Sequence, residues 1–167
     1  MIESANQGHS DWSRWQAAIA PFTFATLTIA IFQSVLFGTG GFVVSSQNTD
    51  LTLQFLAWRD FGFSQMRHGH LPLWNPFIFG GCPYFAGFQS ALLYPLNWLH
   101  LLLPLGPAIN WELAIHVFLA GYFTYFWARS RGASIAGSIL AGTMFMFGGT
   151  YYLHVYAGHL PHLCLMA

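Results

Sequence analysis

The sequence predicts an all-α, polytopic membrane protein with three transmembrane helices and one long outer loop. Charged residues make up 6% of the chain and aromatic residues 19%, whereas soluble domains carry about 25% charged residues. The segment Leu71–Pro104 is strongly apolar, yet eight prolines and glycines interrupt it. Because proline breaks a helix, this segment cannot form one straight helix and is expected to fold against a membrane.

The charge balance excludes nucleic acid as a partner. The chain has five arginines, no lysine and five acidic residues, so its formal net charge is zero and it has no basic stripe for a phosphate backbone. Cys82 and Cys164 are far apart and lack a CxxC partner, which argues against a redox motif or a cysteine-rich metal site. Both are interpreted as apolar fillers, with a disulfide as the alternative.

The first predicted transmembrane helix covers residues 17–44. No charged residue lies between Arg14 and Asp50, and about 20 apolar residues suffice to cross a bilayer. A cleavable signal peptide is the alternative interpretation, because Val44, Ser45 and Ser46 form a small-residue sequence.

The second and third predicted transmembrane helices cover residues 109–127 and 134–156. Arg129 and Arg131 lie in the short connection between them, which places that connection and the N-terminus inside the cell. Residues 45–108 then form the outer loop, and residues 157–167 begin the next outer segment. In the third helix, Gly137 and Ala141 share one face, where another helix could approach closely.

Within the outer loop, Asp50 to about Met66 is predicted to be a helix lying on the membrane surface. An apolar stripe and a polar stripe alternate at helical spacing, and Pro72 prevents continuation. Asp50 is the first candidate catalytic residue, because it follows the first transmembrane helix and should lie near the lipid head groups. The structural alternative is that Asp50 caps the helix N-terminus.

Further candidate substrate-binding residues occur in three places. Arg67, His68 and His70 follow the surface helix, and arginine suits phosphate oxygens. Glu112 and His116 share a face of the second transmembrane helix, where they form either a functional pair or a hydrogen-bonded pair that joins helices. His159 lies beyond the third helix; its spacing to His162 resembles a metal-ligand pattern, but Pro161 disrupts it, so no metal site is predicted.

Several ordered motifs resemble one known family. Asp50 is followed by Gly69-His70-Leu71-Pro72-Leu73-Trp74-Asn75-Pro76, then by Gly80-Gly81-Cys82-Pro83, Gln89 and Leu93-Tyr94-Pro95-Leu96. Together with Gly158-His159-Leu160-Pro161-His162, these motifs resemble the first outer loop and following helices of YfhO-type bacterial membrane proteins, which are similar to GT-C glycosyltransferases. The resemblance covers nearly all of residues 50–167.

The resemblance implies an enzyme of the bacterial cytoplasmic membrane that transfers a sugar from a polyprenyl-phosphate carrier to an acceptor on the outer face. Asp50 matches the acidic residue of the first outer loop in that class, and it would act as a general base or orient a divalent metal ion. The class commonly has more helices, so the chain is expected to be the N-terminal part of a larger protein. A non-enzymatic membrane subunit or transporter fragment is the alternative function.

Overall fold

A computed structural model describes residues 2–38, 41–87 and 89–167, and for residues 2–17 and Tyr151 it describes only the backbone. Helices account for 69% of the residues and strands for 3%, which confirms the all-α prediction. The described part of the chain contains seven α-helices, namely α1 (Ile2–Leu36), α2 (Leu56–Arg67), α3 (Leu99–Leu102), α4 (Leu105–Ser130), α5 (Ile135–Met146), α6 (Gly149–Ala157) and α7 (Leu160–Met166).

Shorter elements connect these helices. A π-helical turn, Leu51–Phe55, leads directly into α2, and two 3₁₀ turns occupy Phe85–Gly87 and Pro95–Trp98. Strands β1 (Trp74–Asn75) and β2 (Cys82–Pro83) pair antiparallel. We call residues 71–104 the hood; this broken apolar segment packs against the N-terminal part of α4.

Helix α4 is the central element of the fold. It packs against α1 and, through its C-terminal half, against α5, while α2, α3 and α7 contact its N-terminal half. One core joins these helices through buried apolar side chains, namely Ala20, Phe24 and Phe32 of α1, Ile109, Leu113, Ala114, Val117, Ala120 and Tyr125 of α4, Met146, Val155, Leu160 and Leu163, together with Leu51 and Phe55.

The first transmembrane prediction, residues 17–44, was too long at its C-terminal end. Helix α1 ends at Leu36, and the later residues 41–44 are not helical, while residues 39 and 40 lie outside the described part of the chain. Among the described residues, Ala18–Leu36 is the one helical segment both long and apolar enough to cross a membrane.

The second predicted helix, residues 109–127, lies entirely inside α4, which is longer at both ends. Three polar residues lower the hydropathy of α4, namely Asn110, Glu112 and His116. All three are at least 99% buried. These polar side chains are therefore covered by protein, so the sequence of this helix looks more polar than the surface that it presents.

The third predicted helix, residues 134–156, is wrong as a single element. Helix α5 ends at Met146 and α6 starts at Gly149. Gly148, between them, is extended, with ψ 137°. Gly148 and Gly149 favour a break here, because glycine has one of the lowest helix propensities. The break separates α5 from α6. Residues 160–166, predicted to begin an outer segment, form α7.

Close packing between α4 and α5 depends on Gly142 rather than on the predicted pair, Gly137 and Ala141. A Cβ atom at Gly142 would lie 2.5 Å from the Gly121 carbonyl oxygen and 2.6 Å from Phe24 Cζ. Gly137 is exposed, and a Cβ atom added there would meet only Ser134 Oγ, at 3.2 Å. The buried face of α5 is thus Ser138, Gly142 and Met146, one residue around from the predicted face.

Asn110 fastens the end of α1 to α4. Its Nδ2 donates to the carbonyl oxygens of Val35, at 3.2 Å, and Phe42, at 2.7 Å, and its Oδ1 accepts from the Val44 amide at 3.1 Å. These carbonyls and amides belong to the point where α1 stops. One buried amide side chain therefore supplies the hydrogen bonds that the helix end and the following turn would otherwise lack.

The hood packs on α2 through a second, smaller core of Phe63, Tyr84 and Leu92. Gly62 permits this contact, because a Cβ atom there would overlap the Tyr84 hydroxyl and lie 2.9 Å from Leu92 Cδ2. Tyr84 donates its hydroxyl hydrogen bond to the Trp58 carbonyl oxygen. The hood is therefore fixed to the surface helix as well as to α4.

The two glycines of α5 give a matched test of this packing. We expect Gly142→Ala to destabilise the protein by about 1–3 kcal/mol, because an added methyl group would force α4 and α5 apart. Gly137→Ala gains the same helix propensity without the overlap, so its unfolding temperature should stay unchanged or rise. Thermal unfolding of both variants in detergent measures the difference; equal effects would contradict the close approach.

Candidate functional site

Asp50 and His159, two predicted site residues from distant parts of the chain, meet in the structure. The distance from Asp50 Oδ2 to His159 Nε2 is 3.4 Å, and the side chains are 61% and 42% exposed. The turn at Gly158 produces this contact, because a Cβ atom there would lie 2.5 Å from the Leu51 amide nitrogen. The left-handed backbone of Gly158, φ 76°, lets α7 fold back onto the start of the surface helix.

A chain of imidazoles extends from this carboxylate. His154 Nδ1 lies 2.9 Å from His159 Nδ1, and the His154 ring centroid is 3.9 Å from that of His162. If His159 donates its Nε2–H to Asp50, its Nδ1 accepts from His154. The arrangement thus orients His159 between a carboxylate and a second imidazole, while the carboxylate keeps its solvent exposure.

These groups do not converge on a common point. The two nitrogens of His159 lie on different edges of its ring, and one faces Asp50 while the other faces His154. Within the described residues, no group of three or more histidine, cysteine or acidic side chains could hold a metal ion. The donor set therefore does not fit a divalent metal, and the arrangement favours acid–base chemistry at Asp50.

Asp50 does not cap the surface helix, so that structural alternative is wrong. Its side chain makes no capping hydrogen bond. The helix start is instead organised by Thr49 and Thr52: the Thr49 amide donates to Thr52 Oγ1 at 3.0 Å, and Thr49 Oγ1 donates to the Ser46 carbonyl at 3.0 Å. The Asp50 carboxylate is consequently not engaged by the backbone and faces His159.

Glu112 is the centre of a buried polar cluster. Its Oε1 lies 3.4 Å from Arg59 Nη2, and its Oε2 lies 2.9 Å from His100 Nε2. The three side chains are 0–1% exposed. Arg59 also donates to the Ser90 carbonyl, and Cys164 Sγ lies 3.4 Å from Glu112 Oε1. Arg59 therefore forms a buried ion pair with Glu112.

His116 joins the cluster through its ring nitrogens. Nδ1 is 2.6 Å from the Glu112 carbonyl oxygen, so this nitrogen carries the proton and donates. Nε2 is then the acceptor for the Tyr94 hydroxyl, at 2.7 Å. Glu112 and His116 therefore bind protein groups from the hood and α7, and their predicted contact with substrate stays a prediction.

Arg67, His68 and His70 lie at the other end of the surface helix. Arg67 donates to the carbonyl oxygens of His100 and Leu103, the latter at 2.9 Å, so it caps α3 and fixes the end of the hood. His68 Nδ1 lies 2.8 Å from the Ser64 carbonyl, and His70 is exposed. The structure does not bring these three residues to Asp50, and phosphate binding by them stays a prediction.

An open apolar pocket lies along the same helix as Asp50. Its volume is about 280 Å³, and it lies between the surface helix and the loop that joins β1 to β2. Gln54, one turn after Asp50, lines it and donates to Gln89 Oε1 at 3.2 Å. The other lining residues are Leu53, Ala57, Trp58, Phe61, Asn75, Phe77, Ile78 and Phe79.

Burial changes the acid–base properties of two groups outside the helices proposed to cross the membrane. It raises the pKa of Tyr84 to about 12, although the Arg59 charge acts in the opposite direction. Burial and the Glu112 carboxylate raise the pKa of the Cys164 thiol. Both groups are therefore protonated at neutral pH, and Cys164 behaves as a buried thiol rather than a nucleophile. Both cysteines are free.

Sequence reasoning did not identify His100, Tyr94 or Asn110 as important. His100 had a usable signal, because it is the one ionisable residue other than tyrosine and cysteine between His70 and Glu112. A lone histidine in so apolar a segment needs a partner. Its partner is Glu112, however, and only the folded chain shows that pairing.

Comparisons with known proteins add no relative. A scan against family models, a search of curated proteins and a search of solved structures each found no match.

The buried ion pair makes a quantitative prediction. Arg59→Met should lower the free energy of unfolding by about 3–5 kcal/mol, because Glu112 would keep a buried charge with its cationic partner removed. Adding Glu112→Gln should restore part of that loss, since the double variant buries no unpaired charge. Chemical denaturation in detergent measures the cycle. As a control, Arg131→Met removes an exposed arginine and should change stability by about 0.5 kcal/mol or less; equal losses at the two arginines would contradict the pairing.

Proposed function

We propose that this chain carries the catalytic acid–base residue of a membrane glycosyltransferase. The enzyme would transfer a sugar from a polyprenyl-phosphate carrier to an acceptor on the outer face of the bacterial cytoplasmic membrane. The observation that carries the proposal is the exposed Asp50 carboxylate, 3.4 Å from His159 Nε2, beside an apolar pocket on the same helix. The family resemblance supplies the reaction class.

In the proposed topology, α1, α4 and the pair α5–α6 cross the membrane. Arg129 lies in the last turn of α4 and Arg131 directly follows the helix, and short connections rich in arginine stay in the cytoplasm. Asp50 and His159 then lie on the outer side. Asp50 is at the end of the segment that follows α1, and His159 is just beyond the end of α6. A carboxylate in that place can reach both a lipid-linked donor and a water-soluble acceptor.

Asp50 acts as a general base in this mechanism. It accepts the proton of the acceptor hydroxyl while the sugar leaves its carrier phosphate, and such a base contributes about 10²–10⁴-fold to a rate. His159 is a positioning residue, since its Nε2 contacts the carboxylate and its Nδ1 contacts His154. This mechanism assigns no step to a metal ion, because the described side chains around Asp50 do not form a metal-ligand group.

The test compares two exposed acids near the surface helix, Asp50 and Asp60. Asp50→Asn should lower transfer from radiolabelled polyprenyl-phosphate hexoses by about 100-fold or more, with unchanged binding of the donor and unchanged membrane insertion. Asp60→Asn should retain transfer, because Asp60 lies inside α2, about 15 Å further along the surface helix than Asp50, and makes no ion pair with His159.

Two outcomes would reject this proposal. Retained transfer by Asp50→Asn would remove the general base, and an intact, folded protein that binds no polyprenyl-phosphate hexose would favour the alternative function. In that alternative the chain is a non-enzymatic membrane subunit, and Glu112 and His116 serve only to join the hood to α4.

A further inference from the structure

The hood contacts α4 unexpectedly far along that helix. His100 binds Glu112, and Tyr94 binds His116. At a rise of 1.5 Å per residue, Glu112 and His116 lie about 10 Å and about 16 Å from the start of α4 at Leu105. The hood therefore extends down the side of α4 instead of resting on its end.

The length of α4 limits how much of it can protrude from a bilayer. Its 26 residues span about 39 Å, and a hydrocarbon core is about 30 Å thick. At most about 9 Å of the helix can therefore protrude from the hydrocarbon. Even if all of that length lay on the outer side, the contact between Tyr94 and His116 would be about 7 Å below the hydrocarbon boundary. This step rests on the proposed crossing of the membrane by α4.

The hydrogen bonds of the hood suit a place without water. Irregular backbone at membrane depth must have its polar groups satisfied by the protein. Side chains satisfy the carbonyl oxygens here: Arg59 binds Ser90, Asn97 binds Ala91 at 3.0 Å, Trp98 binds Leu92 at 3.0 Å, and Arg67 binds His100 and Leu103.

The outward side of this segment is apolar. Leu93 is 65% exposed, Trp98 49% and Leu102 82%, and each lies within a few residues of a group bound to α4. No acidic residue, arginine or lysine occurs between Arg67 and Glu112. In water these side chains would form an apolar patch with no compensating charge.

We infer that residues 90–103 form a re-entrant segment immersed in the outer leaflet, with Leu93, Trp98 and Leu102 in contact with lipid acyl chains. The partner of this surface is the hydrocarbon of the bilayer. Immersion of the irregular backbone is tolerated because its carbonyl oxygens accept hydrogen bonds from the side chains of Arg59, Arg67, Asn97 and Trp98.

Photolabelling of the unmodified chain in proteoliposomes tests this inference. The probe is phosphatidylcholine with a diazirine halfway along one acyl chain, and labelled peptides are identified by mass spectrometry. Labelling of the peptide containing Leu93, Trp98 and Leu102 should be within about threefold of that of the peptide containing Ile29 of α1. The peptide containing Gln47 should be labelled at least about fivefold less, because polar chain outside helices does not enter hydrocarbon.

The outcomes separate this inference from the proposed function. If the α1 peptide is labelled and the hood peptide is labelled as weakly as that of Gln47, immersion is wrong while a membrane-anchored protein remains. If neither α1 nor α4 is labelled, the membrane crossing itself fails, and immersion fails with it. Neither outcome depends on sugar transfer.

A substitution gives a second readout. Leu102→Asp should lower the folding equilibrium constant in lipid by about tenfold or more, because a charge in hydrocarbon is unfavourable. Leu102→Phe is the control for side-chain size and should leave the constant within about twofold, since Leu102 has open space on its outer side. Equal stability of the two variants would show that Leu102 faces water.

Discussion

The burial of one carboxylate, Glu112, fixes how the rest of the chain is arranged. A buried charge is strongly unfavourable unless cations and hydrogen-bond donors surround it. Its donors come from separate elements: Arg59 from α2, His100 from α3 and Cys164 from α7. Because each donor must reach the same carboxylate, α2, the hood and α7 can dock on α4 in only a narrow range of positions.

That arrangement also explains how an exposed dyad becomes ordered. Asp50 stands at the start of the surface helix that Arg59 ties to α4, and His159 precedes the helix whose Cys164 contacts the same carboxylate. The buried cluster thus positions both partners of the Asp50–His159 pair without touching either. The structural role of Glu112 and the proposed catalytic role of Asp50 are therefore complementary.

The arginines show how little residue type alone says about role. Arg67 suggested phosphate binding, yet it binds backbone carbonyls of the hood. Arg59 also binds a carbonyl of the hood, and it binds Glu112 as well. Guanidinium groups offer several donors in a fixed plane, which suits a segment whose prolines and turns leave carbonyl oxygens unpaired. The same property that recognises a phosphate here completes an irregular fold.

The sequence by itself determined the helical class, the C-terminal end of the surface helix near Met66, and the presence of apolar helices near Ala18–Leu36 and within α4, because these depend on local composition and on proline and glycine positions. It misplaced the packing face of α5 by one residue, since that face is set by contact with Gly121 and Phe24 of neighbouring helices. It also joined α5 to α6, which are separated by the extended residue Gly148. Only the tertiary structure decided that His100 meets Glu112 and that His159 meets Asp50. Those pairs are separated by 12 and by more than 100 residues along the chain. The first pair is selected by the cost of burying the Glu112 charge, and the second follows from how α7 and the surface helix dock on α4, which no local pattern records.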